Sequence, residues 1–166
     1  ITGGAVRGSN LFHSFQRYRI EAGGAAYFEN PAGIANILGR VTGGDVSNIL
    51  GRLGVSGNAN LFLINPNGIF FGPNASLDLR GSFLASTASS ISFGNNFEFS
   101  ATNPQGVPLL TVNVPTGLNF RADSSPITVN GANLDLKSEG KTIALVGGDL
   151  QVNQQGLIRA FGGRVE

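Results

Sequence analysis

Asn36-Ile37-Leu38-Gly39-Arg40-Val41 is followed by Asn48-Ile49-Leu50-Gly51-Arg52-Leu53, and Ala75-Ser76-Leu77-Asp78-Leu79 is echoed by Ala132-Asn133-Leu134-Asp135-Leu136. Both echoes read as reuse of a structural unit. Around them apolar residues alternate with polar ones, as in Ile127-Thr128-Val129 and Leu150-Gln151-Val152, so each short strand has one buried face. Gly or Asn follows within a few residues, as turns require. Repeats of one strand plus one turn, without crossover helices, stack as coils of a parallel β-helix, each pairing with the next about 4.8 Å away. Asn at the turns can then form ladders. At roughly 20 residues per coil the chain makes on the order of six to eight coils. The strand pattern alone also admits a sandwich.

Composition agrees with an all-β fold. The chain has 166 residues, ample for one core and short for two domains. Its 25 glycines are about twice the average share, while the helix-favouring Lys, Glu and Met are scarce or absent. Eleven basic and ten acidic residues leave a net charge of +1, and no run of Lys or Arg would track nucleic acid or an anionic membrane. Without cysteine there is neither a disulfide framework nor a thiolate metal site. No stretch approaches the roughly 18 apolar residues of a membrane span, so membrane insertion is not expected. The opening Ile1-Thr2-Gly3-Gly4 is not a basic-then-apolar signal, which predicts that any export signal has been removed or lies upstream.

Three segments depart from the repeat. Residues 1 to about 35 hold the only histidine, His13, together with Phe12, Phe15, Tyr18, Tyr27 and Phe28. They are expected to form a cap and first coil that cover the exposed strand edges of the solenoid. Coils follow over about 36–93. From about 94 to 122, Asn103-Pro104, Val107-Pro108 and Val114-Pro115 would interrupt a ladder, which predicts an extra-helical β excursion. Further coils are expected over about 123–166. The strand-like pattern runs through Ile158-Arg159-Ala160-Phe161 to Val165 with no polar cap, so the natural protein is expected to continue.

The run from Asn60-Leu61-Phe62-Leu63-Ile64 through Asn65-Pro66-Asn67-Gly68-Ile69-Phe70-Phe71-Gly72 to Gly81-Ser82-Phe83-Leu84-Ala85-Ser86-Thr87 resembles the haemagglutination-activity domain. This is the two-partner secretion domain at the front of filamentous haemagglutinins and related adhesins. Arg7-Gly8-Ser9-Asn10-Leu11-Phe12-His13-Ser14-Phe15 and Asn30-Pro31-Ala32-Gly33-Ile34 extend the resemblance over nearly the whole chain. It implies a right-handed parallel β-helix with an amino-terminal cap and extra-helical elements. It also implies a secreted or cell-surface exoprotein that passes through the periplasm and outer membrane. The implied partner is an outer-membrane β-barrel transporter, which reads the domain through its periplasmic domains. The family's second motif, Asn-Pro-Asn-Gly-Ile, falls on Asn65, Pro66, Asn67, Gly68 and Ile69. Its first, Asn-Pro-Asn-Leu, has only Asn30 and Pro31 as a nearest counterpart. The Cys pair of one branch is missing.

The motif also has a plain physical reading. Pro66 suits the second position of a turn, Asn67 tolerates unusual backbone angles, and Gly68 permits φ > 0. Contact with the transporter and a structural corner are thus both open. Catalysis would need clustered carboxylates with a basic neighbour, whereas the acids here are scattered. Asp78 and Asp135 occupy equivalent repeat positions, but an Asp between two Leu residues reads as the solvated side of a strand. His13 lacks a second His or a Cys for a metal site. No catalytic residue, metal or cofactor is therefore expected. A third reading is binding of host or neighbouring-cell surface glycans, with Tyr18 or Tyr27 stacking on a sugar.

Overall fold

The computed structural model describes residues 1–94, 97–104 and 115–166, which form a β-solenoid of about six turns with parallel sheets and no helix. Strand β1 (Ala5–Arg7) precedes a first coil of β2 (Asn10–Phe15), β3 (Arg19–Ile20) and β4 (Ala25–Phe28). The second coil is β5 (Asn36–Val41), β6 (Ser47–Ile49) and β7 (Arg52–Val55), and the third is β8 (Asn60–Ile64), β9 (Ile69–Phe71) and β10 (Ser76–Asp78). The fourth begins with β11 (Phe83–Ser86) and then leaves the solenoid for β12 (Ser90–Phe93), β13 (Phe97–Ser100) and β14 (Pro115–Asn119). It resumes with β15 (Ile127–Asn130) and β16 (Asn133–Leu136). Strands β17 (Thr142–Val146), β18 (Leu150–Asn153) and β19 (Leu157–Ala160) make the fifth coil, and β20 (Arg164–Val165) opens the sixth.

Corresponding strands stack into three parallel faces. Face A is β2-β5-β8-β11-β17-β20, face B is β3-β6-β9-β15-β18, and face C is β4-β7-β10-β16-β19. Partners in the regular coils lie 22 to 24 residues apart, slightly more than the expected 20, as in Asn36↔Asn60, Leu61↔Phe83 and Asn133↔Leu157. Ser76 is in register with Asn133, so the Ala75 and Ala132 segments are one unit in consecutive coils, separated by the excursion. The Asn36 and Asn48 hexapeptides are not equivalent, however. The first lies on face A, where Asn36 pairs with Asn10 and Asn60, whereas Asn48 lies on face B opposite Arg19 and Phe70. One alternating apolar pattern serves either face, which is why the echo misleads.

The core is the inward column of each face. Ile37, Leu61, Phe83 and Ile143 on face A meet Ile49, Ile69 and Ile127 from face B and Leu53 and Leu134 from face C. Each of these side chains is at most 1% exposed. Along one edge of face A an asparagine ladder ties the coils together. Asn36 Nδ2 donates to Asn10 Oδ1 at 2.9 Å, and Asn60 Nδ2 donates to Asn36 Oδ1 at 3.0 Å. Asn60 Oδ1 then accepts from the Ser82 amide at 2.9 Å.

The first coil is covered at its open end. Strand β1 runs antiparallel along β2, and the Ile1 carbonyl accepts the Glu29 amide while its ammonium donates to the Tyr27 carbonyl. Inside this mouth His13, Phe15, Tyr18 and Phe28 pack ring against ring. The opposite end is open. Leu150, Val152 and Val165 align with fully buried Ile127, Val129 and Ile143, yet are 44–49% exposed because no further coil lies over them among the described residues.

The excursion is a separate antiparallel sheet, β13-β12-β14, that begins at Ser90, upstream of the expected start near 94. Pro115 is the first residue of its strand, a position that needs no ladder N–H. Val107, Pro108 and Val114 lie outside the described residues. The sheet packs on the outer side of face A, where Phe12, Leu38 and Ile64 meet Ile91, Phe93 and Phe99 in a second apolar cluster. Buried Arg40 crosses this interface. Its guanidinium sits 4.4 Å from the Phe99 ring centroid, and it donates to Ser14 Oγ and to the Ser100 carbonyl at 2.8 Å each. Burial lowers its pKa from the ordinary arginine value.

Candidate functional site

Asn65 to Gly68 form the corner where the third coil turns from face A to face B. The Gly68 amide donates to the Asn65 carbonyl at 3.1 Å, closing a four-residue turn with Pro66 at its second position. Gly68 has φ +113°, a left-handed-region value that glycine tolerates, whereas Asn67 is not among the positive-φ residues. Ile69 then enters β9 and the core at 1% exposure.

The asparagines are consumed by this corner. Asn65 is fully buried. Its Nδ2 donates to the Asp45 carbonyl at 2.9 Å and to Ser47 Oγ at 2.8 Å, stitching the third coil to the second. Its Oδ1 accepts from the Asn67 amide at 3.0 Å, and Asn67 Nδ2 reaches the Gly43 carbonyl at 2.7 Å. From the other side, the Pro66 carbonyl accepts Ser125 Oγ at 2.8 Å and Arg121 Nη2 at 3.2 Å. The turn is thus bonded to the coil before it and to the segment returning from the excursion. Asn67 and Arg121 border a shallow polar notch shared with Thr42 and Thr102, which is where the motif meets solvent.

Asn30 and Pro31 occupy a different corner, between faces C and A. Asn30 Nδ2 donates to the Ile34 carbonyl at 2.9 Å, and its Oδ1 accepts the Ala59 amide of the next coil at 2.9 Å. The two motif segments are therefore not brought together. Each does the same job locally: a side-chain amide supplies the donor and acceptor that a stacked corner lacks. The residues missed by sequence reading are their partners, Ser47, Arg121 and Ser125, which carry no motif of their own.

The remaining candidates separate clearly. Asp78 and Asp135 do line face C, one coil apart. Asp78 Oδ2 accepts Tyr27 Oη at 2.5 Å, a bond that raises the Tyr27 pKa. Asp135 is held by Arg159 through two bonds of 3.0 and 2.6 Å, which keeps its carboxyl below the ordinary value. Tyr18 is 5% exposed in the cap and cannot stack on a ligand, whereas the Tyr27 ring lies across Gly54 on the surface of face C. His13 is 6% exposed, and burial together with the nearby amino-terminal charge lowers its pKa. Among the described residues no group of three or more His, Asp or Glu is placed to hold a metal ion.

No curated protein and no solved structure matches this chain. The family model described as the TPS secretion domain matches residues 1–166, the whole chain. A capped parallel solenoid with stacked asparagine corners and a docked excursion is therefore found in a chain that belongs to the TPS secretion domain family, whose role is targeting for two-partner secretion.

Proposed function

We propose that this domain is the address by which an exported protein is recognised by its outer-membrane β-barrel transporter, through that partner's periplasmic domains. The family match over residues 1–166 carries this reading. The passage it implies runs through the periplasm and outer membrane to the cell surface or beyond. Within it, Asn65 to Ile69 and Asn30-Pro31 act as corners that set coil register, and recognition uses surface that those corners hold in place. What supports this division is that Asn65 is fully buried and its side chain is bonded within the fold. A second role is nucleation of β-helix folding, which the parallel ladders support because each coil templates the pairing of its neighbour.

The experiment is binding of the folded domain to the purified periplasmic part of its transporter. Saturable binding that is lost on unfolding the domain supports the address role. Equal binding of an unrelated β-helix would contradict it.

A further inference from the structure

Face A differs from the other two in what it turns outward. Its inward residues Leu11, Ile37, Leu61, Phe83 and Ile143 belong to the core, so the residue after each points out of the solenoid. Those residues are Phe12, Leu38, Phe62, Leu84 and Ala144, which stand in register in five successive coils. All five are apolar. The corresponding column of face B is Arg19, Asn48, Phe70, Thr128 and Gln151, with a single apolar member. Face C turns out Tyr27, Gly54, Asp78, Asp135 and Arg159. The excursion accounts for only the first part of the apolar column. Phe12 and Leu38 are at most 2% exposed against Ile91, Phe93 and Phe99, and Phe62 lies at the margin of that cluster. From there Phe62, Leu84 and Ala144 form the floor of a groove of about 200 Å³, bordered by Ser82, Thr142 and Glu166. Its exposed lining is almost entirely carbon. Two coil steps of about 4.8 Å make the floor about 10 Å long.

We propose that this groove is where the transporter's periplasmic part docks, by inserting a branched aliphatic or aromatic side chain beside the excursion. The inference rests on the address reading and gives it a location. The chemistry of the occupant follows from continuity with the interface already closed on the same column. There Ile91, Phe93 and Phe99 cover Phe12 and Leu38, and the open half presents the same apolar surface to a second protein. Side chains rather than main chain make the contact, because β8, β11 and β17 each have a parallel partner on both sides. The polar groups at the rim are already engaged. Ser82 Oγ accepts the Thr142 amide at 3.1 Å, and the Glu166 carboxylate is paired with Arg164 at 2.5 Å. An apolar anchor buried in such a recess, away from water, is what concentrates binding energy in a few residues. Neither Leu84 nor Ala144 belongs to the two motif segments, whose asparagine side chains are bonded within the fold.

The test measures binding of the folded domain to the purified periplasmic part of its transporter, for the parent and two groove variants. Ala144→Leu fills the groove with an apolar side chain and should weaken binding about tenfold at an unchanged urea midpoint. Leu84→Gln removes the apolar side chain at the centre of the floor and should weaken it about tenfold as well. Should Leu84→Gln also lower the midpoint, Ala144→Leu decides. Gln151→Ala, on face B, should bind as the parent does. In the parent's complex, nuclear magnetic resonance amide shifts should centre on Leu84 and Ala144. Parent-like affinity in Ala144→Leu, or shifts that map to face B or face C, would overturn this docking site and leave the address role standing. So would a concentration-dependent dimer of the domain alone that Ala144→Leu abolishes, which would assign the groove to a second copy. A parent that does not bind the periplasmic part at all would overturn the address role itself, and this inference with it.

Discussion

Replacing Asn65 by Ala isolates what the motif contributes. The substitution removes two donated bonds, to the Asp45 carbonyl and Ser47 Oγ, and the Oδ1 that accepts the Asn67 amide. Each such bond contributes about 1 kcal/mol net, and leaving a buried partner unsatisfied adds to the cost. Ser47 is itself fully buried, so its hydroxyl cannot turn to solvent. The expected loss is about 3 kcal/mol. Asn67→Ala should cost only about 1 kcal/mol, because Asn67 is only half-buried, keeps its amide bond to Asn65 and loses chiefly the bond to Gly43. Gly68→Ala falls between them. Its φ of +113° strains any side chain by about 1–3 kcal/mol, and the new Cβ would sit 3.3 Å from the Pro126 carbonyl oxygen. Urea unfolding monitored by circular dichroism reads these differences as midpoint shifts at constant slope. An Asn65→Ala domain within about 0.5 kcal/mol of the parent would refute the corner reasoning.

Arg40→Met should leave face A intact but loosen the excursion, since it removes the contact with Phe99 and the bond to the Ser100 carbonyl, together worth about 2 kcal/mol; faster amide exchange confined to β12 and β13 is the readout, and uniform exchange would contradict it. His13 predicts an acid-sensitive cap. Its folded pKa lies below 6.5, so stability is complete above pH 6.5 and declines as pH falls below it, when the unfolded chain takes up a proton that the buried ring resists. His13→Phe should remove that part of the slope, and an identical pH profile in both proteins would refute it. Strands β18 to β20 should exchange amide protons faster than β8 and β11, which have partners on both sides, and equal protection in a strict monomer would contradict an open end.

The solenoid is legible because strand alternation is local, and the Ala75 and Ala132 segments keep their phase across the excursion. The turn at Asn65 is legible for the same reason: Pro at its second position and Gly after it constrain the backbone whatever surrounds them. The Asn36 and Asn48 echo misleads because a coil of 22 to 24 residues places a half-period shift on another face. The docking of the excursion left a trace that alternation alone overlooks. Leu61-Phe62-Leu63-Ile64 is apolar without a break, the signature of a strand covered on both sides, whereas β5 is buried throughout although Asn36 and Arg40 interrupt its apolar run. Arg40 left none. Its partners, Ser14 and Ser100, are 26 and 60 residues away in the chain, and only the folded register brings them together.

Asn67 is the residue that distinguishes a corner from a contact, since it is the asparagine of the motif that reaches the surface. The most direct measurement pairs urea midpoint with transporter affinity for Asn65→Ala, Asn67→Ala, Gly68→Ala and the distant core variant Leu134→Ala. The corner account predicts that loss of binding follows loss of stability along one line for all of them, with Asn67→Ala close to the parent on both axes. An Asn67→Ala domain with an unchanged midpoint and no transporter binding would contradict it.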